Sequence, residues 1–251
     1  MNKTYIYEGT FSSLLALIYS LLISKIEVGD IKSSKTYLPN LLDEPVMLKI
    51  DNIKEKEKLL KERLTPEIVH TIYYAYLSDS PIKEILIYNF IKNSLIYKNQ
   101  IFYRRNLESV VEIEKLSKYV GREAHKLKGF LRFKEMENFL YAEVEPTNNV
   151  IGILAYHFKN RLSNESWIIK DTKRNIYALY DTKKVIYLTD EDIIKLNLNI
   201  SNNEELMEDL WKTFFKTVAI KERYNPKCQM NFMPKKYWKN MLEMENEKWK
   251  K

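Results

Sequence analysis

Few side chains in this sequence have the types and spacing needed for proton transfer. His157 lies four residues before Arg161 in a predicted helix, and Asp171 and Arg174 lie in a predicted turn between strands. A histidine that is oriented by an aspartate can act as a general acid or base. A single helical histidine is more often structural. His157 and Asp171 are therefore catalytic candidates and do not define a catalytic pair.

Glu143 and Glu145 are spaced so that both lie on one face of a predicted strand. Two carboxylates can hold Mg²⁺ for nuclease chemistry. However, no Glu-x-Lys follows them at the spacing of common nuclease folds, and the chain has one cysteine and three histidines. We therefore predict no metal site and no cofactor. Glu143 remains a catalytic candidate only.

A basic stripe stands out on the predicted helix 104–128. Lys118, Arg122 and Lys126 recur every four residues, so they share one side of the helix. Further basic side chains flank the stripe or follow it: His125, Lys128, Arg132 and Lys134. Three aromatic residues lie close by in sequence: Phe130, Phe133 and Tyr141. The pattern is typical of a surface that follows a nucleic-acid backbone, although a solvated helix face with core aromatics has the same pattern.

A second basic region lies near the end of the sequence. A predicted helix over 204–223 carries Lys216 and ends near Arg223, and Lys235 and Lys236 follow. Aromatic residues alternate with these cations, as in nucleic-acid grooves. We expect Phe232, Tyr237 and Trp238 to dock into a core and some of the lysines to contact phosphate.

The positive charge is concentrated in these two regions. Residues 118–134 hold 6 basic and 1 acidic residues, residues 211–251 hold 11 and 4, and the whole chain carries +7. Such concentration suits a polyanionic partner, because neutralised phosphates release counterions. A solvated C-terminal tail would explain part of it.

Hydrophobic periodicity and turn residues predict an α+β fold. Residues 1–128 are mainly helical, and residues 129–251 form an antiparallel sheet of about five strands with packed helices. We treat 1–251 as a single domain with these two parts. The apolar run 11–23 is too short to span a bilayer and indicates a buried helix. A cytoplasmic protein that does not contact a membrane is expected.

Common enzyme signatures are missing. The sequence has no P-loop, no dinucleotide-binding glycine motif and no Gly-x-Ser-x-Gly. The zinc deaminase signature is also missing. Whether the chain is an enzyme therefore remains open at this point.

Three strings of the sequence are long enough to compare with known families. They are Arg122-Glu-Ala-His-Lys-Leu-Lys-Gly-Phe-Leu-Arg-Phe, Trp167-Ile-Ile-Lys-Asp with Arg174, and Phe232-Met-Pro-Lys-Lys-Tyr-Trp. They resemble a bacterial family described as DNA metabolism or DNA repair proteins, domain of unknown function 4130. The resemblance covers nearly the whole chain and is densest over 120–240. Two positions depart from the family pattern: Glu8 replaces an Asp, and Lys170 replaces a frequent His. The second departure puts a catalytic role for the 170–174 turn in doubt.

The resemblance implies work on DNA together with a radical-SAM protein, or with a uracil-DNA-glycosylase-like module to which some relatives are fused. We expect a DNA-binding accessory protein for repair or modification. The alternatives are an enzyme acting directly on DNA, of nuclease or base-excision type with His125 among its candidates, and a protein-binding adaptor without nucleic-acid affinity. The residues expected to contact DNA are Arg122, His125, Lys126, Lys128, Arg132, Arg161, Arg174, Lys216, Arg223, Lys235 and Lys236.

Overall fold

The structure, a computed structural model, describes residues 3–39, 44–136, 139–190, 192, 230 and 233–240. The chain divides into two compact units, an N-terminal unit, Met1–Gly121, and a C-terminal unit, Arg122–Lys251. The predicted change of pattern after residue 128 falls near this division. Lys216, Arg223, Phe232 and the predicted helix 204–223 lie outside the described residues.

The N-terminal unit contains a parallel three-stranded sheet. Its strands are β1 (Lys3–Tyr7), β2 (Asp30–Ser33) and β3 (Glu44–Met47), in the order β2-β1-β3. Helix α1 (Phe11–Ile23) forms the crossover that a parallel β1–β2 pair requires. The sequence did not predict β2 or the parallel pairing.

Helix α1 begins after Thr10, which caps it. The Thr10 side chain accepts a hydrogen bond from the Ser13 N–H at 3.1 Å, and the Thr10 N–H donates to Ser13 Oγ at 3.1 Å. This reciprocal capping box satisfies donors that a helix start leaves free. Gly9, with φ of +81°, makes the turn from β1 into the helix. The helix is largely buried, as its apolar sequence predicted.

The remaining helices of the N-terminal unit agree with the prediction that residues 1–128 are mainly helical. They are α2 (Ile53–Lys61), α3 (Pro66–Tyr76) and α4 (Lys83–Tyr97), and a 3-10 helix (Lys98–Tyr103) that the sequence did not predict follows α4. Pro66 lies at the start of α3, where proline is favoured. The N–H of a first helical residue has no partner within the helix, so proline, which lacks this group, loses no hydrogen bond there. Helix α5 (Glu108–Phe130) runs through the division between the units.

The C-terminal unit is built on a five-stranded sheet, which confirms the α+β prediction. Its strands follow chain order: β4 (Lys134–Glu135), β5 (Leu140–Val144), β6 (Trp167–Asp171), β7 (Ile176–Tyr180) and β8 (Val185–Thr189). The sheet is mixed and not wholly antiparallel, because α6 (Ile151–Arg161) connects β5 and β6 as a crossover and makes that pair parallel. The alternating sequence Phe130-Leu-Arg-Phe favours a further strand, but these residues form the end of α5 and a loop.

The two faces of this sheet differ. One face, which we call the helix face, carries Trp167 and Asp171 of β6, and Phe133 lies between Trp167 and Phe158 of α6. The other, the cluster face, carries Ile168 and the side chains packed with it: Met136, Tyr141, Tyr177, Phe139, Leu179 and Leu188. Because successive residues of a strand alternate between faces, each polar residue of the sheet is assigned to one face by its register.

The C-terminal unit also includes a 3-10 helix, Lys235–Asn240. Tyr237 and Trp238 are buried, and Trp238 Nε1 donates to the Met233 carbonyl at 2.8 Å. This confirms the predicted docking of these two aromatic residues. Among the described residues, no helix is long and apolar enough to cross a membrane.

Candidate nucleic-acid interface

The part of α5 after residue 121 has a buried side and an outward side. Its buried side chains are Glu123, Ala124 and Leu127. Its exposed side chains are Arg122 and His125, and Lys126 and Lys128 are half-buried. At 100° per residue the exposed positions lie opposite the buried ones, as the basic stripe in the sequence predicted.

Four of the predicted cations remain available for a ligand. Over the part of the chain that the structure describes, Arg122, Lys126, Lys128 and Arg161 have no hydrogen bond or ion pair with another side chain or with the backbone. Arg122 and Arg161 are exposed. Cations that face water without an acidic partner can neutralise phosphates without first breaking an internal bond.

Arg132, another predicted contact, is used within the fold. Its Nη1 donates to the carbonyls of Gly129 at 2.8 Å and Leu131 at 3.3 Å. Basic side chains often satisfy the last carbonyls of a helix in this way. Arg132 therefore closes the end of α5.

Arg174 and Asp171 hold the loop between β5 and α6. Arg174 donates to Asp171 Oδ2 at 3.1 Å, to the Thr147 carbonyl at 2.6 Å and to the Pro146 carbonyl at 3.2 Å. Asp171 is fully buried, and this burial raises the pKa of its carboxyl although Arg174 opposes the shift. Asp171 Oδ1 also accepts hydrogen bonds from the backbone N–H groups of Lys173 and Arg174. The Asp171–Arg174 pair therefore stabilises the fold.

Glu123 is the centre of a network that the sequence reasoning missed. Its carboxylate accepts from the N–H groups of Thr147 at 3.0 Å and Asn148 at 2.8 Å, and from Asn148 Nδ2 at 2.6 Å. Lys236 Nζ also donates to this carboxylate, at 2.7 Å, and the Tyr237 hydroxyl donates to it at 3.1 Å. Lys236 is thus engaged within the fold, although its side chain is 42% exposed. Lys235 is also exposed and lies over the Trp238 ring.

The electrostatics of Glu123 follow from these contacts. Burial alone would raise the pKa of its carboxyl, but the hydrogen bonds from Lys236, Thr147 and Asn148 outweigh it and lower the pKa to about 2. Glu123 is the only acidic residue within 118–134 and lies on the apolar side of its helix. An acidic residue on the apolar side of a helix is a signal that could have revealed this network from the sequence, because a buried carboxylate requires hydrogen-bond partners.

His157 lies near two cations. Burial lowers the pKa of its imidazole, and the charges of Lys128 and Arg161 lower it further. Its Nε2 is buried and accepts or donates no hydrogen bond among the described residues. The ring packs edge-on against Phe158. His157 is therefore a mostly neutral imidazole on the cationic side of the unit.

The catalytic candidates do not form one group. Glu143 lies on the cluster face, where it accepts from the Tyr141 hydroxyl at 2.7 Å, whereas Asp171 lies on the helix face. Lys170, beside Glu143 on the cluster face, has its pKa raised chiefly by its hydrogen bond with Tyr177. The described residues contain no group of three or more His, Cys, Asp or Glu that could hold a metal ion.

The aromatic residues that the sequence suggested for stacking are internal. Phe130 packs against Tyr237, Phe133 against Phe158 and Trp167, and Tyr141 is 7% exposed. Base stacking on these rings would compete with these contacts. The interface that remains is a cationic surface without these aromatics.

The fold and this surface define a two-unit protein whose second unit combines a mixed sheet with an outward basic face. Residues 81–243 match the family described as a domain of unknown function (DUF4130), and the chain belongs to that family. This confirms the resemblance seen in the sequence. No curated protein matches the chain.

Proposed function

We propose that this protein is a DNA-binding accessory protein in DNA repair or modification, which contacts DNA mainly through phosphates. The observation that carries the proposal is a set of cations on the C-terminal unit, Arg122, Lys126, Lys128 and Arg161, which have no hydrogen-bond or ion-pair partner among the described residues. Two acids of the same unit, Glu123 and Asp171, are buried and satisfied internally. These two acids therefore do not compete for the cations of this face.

Contacts of this kind have predictable properties. Phosphates are the same in every sequence, so binding is weakly sequence-specific. Each neutralised phosphate releases counterions, so affinity falls steeply with salt. The protein would place or hold DNA for a partner that carries out the chemistry.

The resemblance suggests a radical-SAM protein or a glycosylase-type enzyme as that partner. The chain has one cysteine, Cys228, and no Cys-x₃-Cys-x₂-Cys motif, so any radical chemistry would belong to the partner. We also propose a cytoplasmic location, where a single thiol stays reduced.

The test is fluorescence anisotropy of purified protein with labelled single-stranded, duplex and uracil-containing DNA across a salt series. We expect affinity to rise at low salt with a slope of several ions. Arg122→Glu with Lys126→Glu should lower affinity at least tenfold without unfolding the protein. Lys183→Glu with Lys184→Glu is the matched control, because both lysines are exposed in the turn between β7 and β8.

Two results would count against the proposal. If both double variants lose the same affinity, the effect is one of net charge and the assigned face is wrong. If the wild-type protein binds no DNA even at low salt, the basic face meets an acidic protein partner, and the adaptor function replaces DNA binding.

A further inference from the structure

Two tyrosines are exposed on the C-terminal unit. Tyr156 on α6 is 72% exposed and Tyr187 on β8 is 53% exposed, and they are the two exposed large hydrophobic side chains in the described part of this unit. Most aromatic rings are packed against other apolar groups, because exposing them to water is unfavourable. The two exposed rings are therefore candidates for contact with a ligand.

Both rings lie along the same part of α6. A Cβ added to Gly152 would lie 3.6 Å from the Tyr187 hydroxyl, so the Tyr187 side chain lies next to Gly152. Gly152 is one turn before Tyr156 on the helix, which places the two residues on one side. The added Cβ would make only an ordinary van der Waals contact with the Tyr187 hydroxyl.

Cations flank this pair. On α6, His157 and Arg161 lie on one side of the helix, and Tyr156 and Asn160 lie on the adjacent side. Tyr156, Asn160 and Arg161 are exposed. The charge of Lys128 also reaches His157. Exposed aromatic rings beside cations are the combination by which proteins bind single-stranded nucleic acid, with bases stacked on the rings and phosphates near the charges.

We propose that the outer surface of α6 is a stacking platform for unpaired bases, and that the DNA bound by this protein is single-stranded or locally unpaired. Tyr156 and Tyr187 supply the rings, and Arg161 and Lys128 contact the phosphates. In duplex DNA the base faces are covered by their neighbours, so only unpaired bases can use the rings. This inference rests on the proposed DNA-binding function and specifies its substrate.

The experiment compares affinities of the full chain for an oligothymidine strand, for the same strand with abasic sites, and for a duplex. Tyr156→Ala should weaken binding of oligothymidine about tenfold, equivalent to ~1.4 kcal/mol, which is within the range for one stacked base. Tyr156→Phe should keep the affinity, because its ring remains. The abasic strand and the duplex should bind the wild-type protein and Tyr156→Ala equally.

A matched control is Tyr103→Ala, which removes a tyrosine that is 85% exposed in the N-terminal unit. We expect it to leave every affinity unchanged. A fluorescent base analogue in the strand gives an independent readout, because stacking on a ring quenches it in the wild-type protein and not in Tyr156→Ala.

The outcomes separate the two proposals. If Tyr156→Ala binds oligothymidine as tightly as the wild-type protein while Arg122→Glu with Lys126→Glu does not bind, the stacking platform is wrong and phosphate binding stands. If the wild-type protein prefers duplex DNA, the platform is also wrong. If no DNA binds, both proposals fail.

Discussion

Replacing Glu123 with glutamine gives the sharpest test of how the C-terminal unit is held together. The glutamate connects α5 to the loop before α6, through the Thr147 and Asn148 N–H groups, and to the 3-10 helix that carries Lys236. Glu123→Gln keeps the size of the side chain and removes its charge. The variant leaves the Lys236 ammonium beside a neutral amide and weakens every bond that the carboxylate accepts.

The magnitude follows from the pKa. Folding lowers the pKa of Glu123 from the ordinary 4.5 to about 2, and each pKa unit corresponds to ~1.4 kcal/mol, so the charged form stabilises the fold by about 3 kcal/mol. Because the folded pKa is the lower one, this stabilisation is complete above the unfolded pKa and disappears as the pH falls through the folded pKa. At pH 3 about 1 kcal/mol should remain.

Tryptophan fluorescence during urea unfolding measures the stability of the C-terminal unit, which contains Glu123. All four tryptophans, Trp167, Trp211, Trp238 and Trp249, belong to the C-terminal unit. The loss for Glu123→Gln should be about 3 kcal/mol near neutral pH and about 1 kcal/mol near pH 3. The control Glu165→Gln, at an exposed position of the same unit, should change stability by less than about 0.5 kcal/mol. A loss for Glu123→Gln below about 1 kcal/mol near neutral pH, or one that does not shrink in acid, would refute the reasoning.

Two further substitutions test other contacts. Arg174→Ala should destabilise the C-terminal unit by about 3 kcal/mol, because it leaves the fully buried Asp171 carboxylate without its ion pair. Adding Asp171→Asn should recover part of the loss, and a double variant less stable than the single one would contradict this account. Gly9→Ala should destabilise the N-terminal unit by about 2 kcal/mol, because φ is +81° and the new Cβ would lie 2.6 Å from Ser33 Oγ. Far-UV circular dichroism follows this unfolding, because α1 to α4 lie in the N-terminal unit, and an unchanged transition would contradict the prediction.

The helices could be predicted because their signals are local. Thr10 before α1 and Pro66 at the start of α3 mark helix starts within a few residues of sequence. The pairing of strands depends on contacts between distant residues, and no local pattern specifies it. The parallel β5–β6 pair was missed for this reason, because only the docking of α6 against the sheet makes the crossover visible.

The candidate site was predicted in part. The stripe containing Arg122 and Lys126 follows from helix periodicity, and both side chains are on the accessible side of α5. Periodicity cannot tell which cations have acidic partners elsewhere in the sequence. Lys236 lies 113 residues from Glu123, and its role in the fold appears only when the two are brought together. The same limit applies to Tyr156, whose exposure no sequence pattern indicated.

Strand β1 lies in the middle of its sheet but precedes both of its neighbours in the chain. It pairs with β2 on one side and with β3 on the other, and both pairs are parallel. During N-to-C synthesis, the tyrosine-rich strand therefore emerges with two open edges and keeps one of them open until β3 is made. Open edges of apolar strands attract other chains. We expect nascent chains released before β3 to be the aggregation-prone species of this protein, and the stretch between β1 and β3 to be a sensitive region for translational pausing.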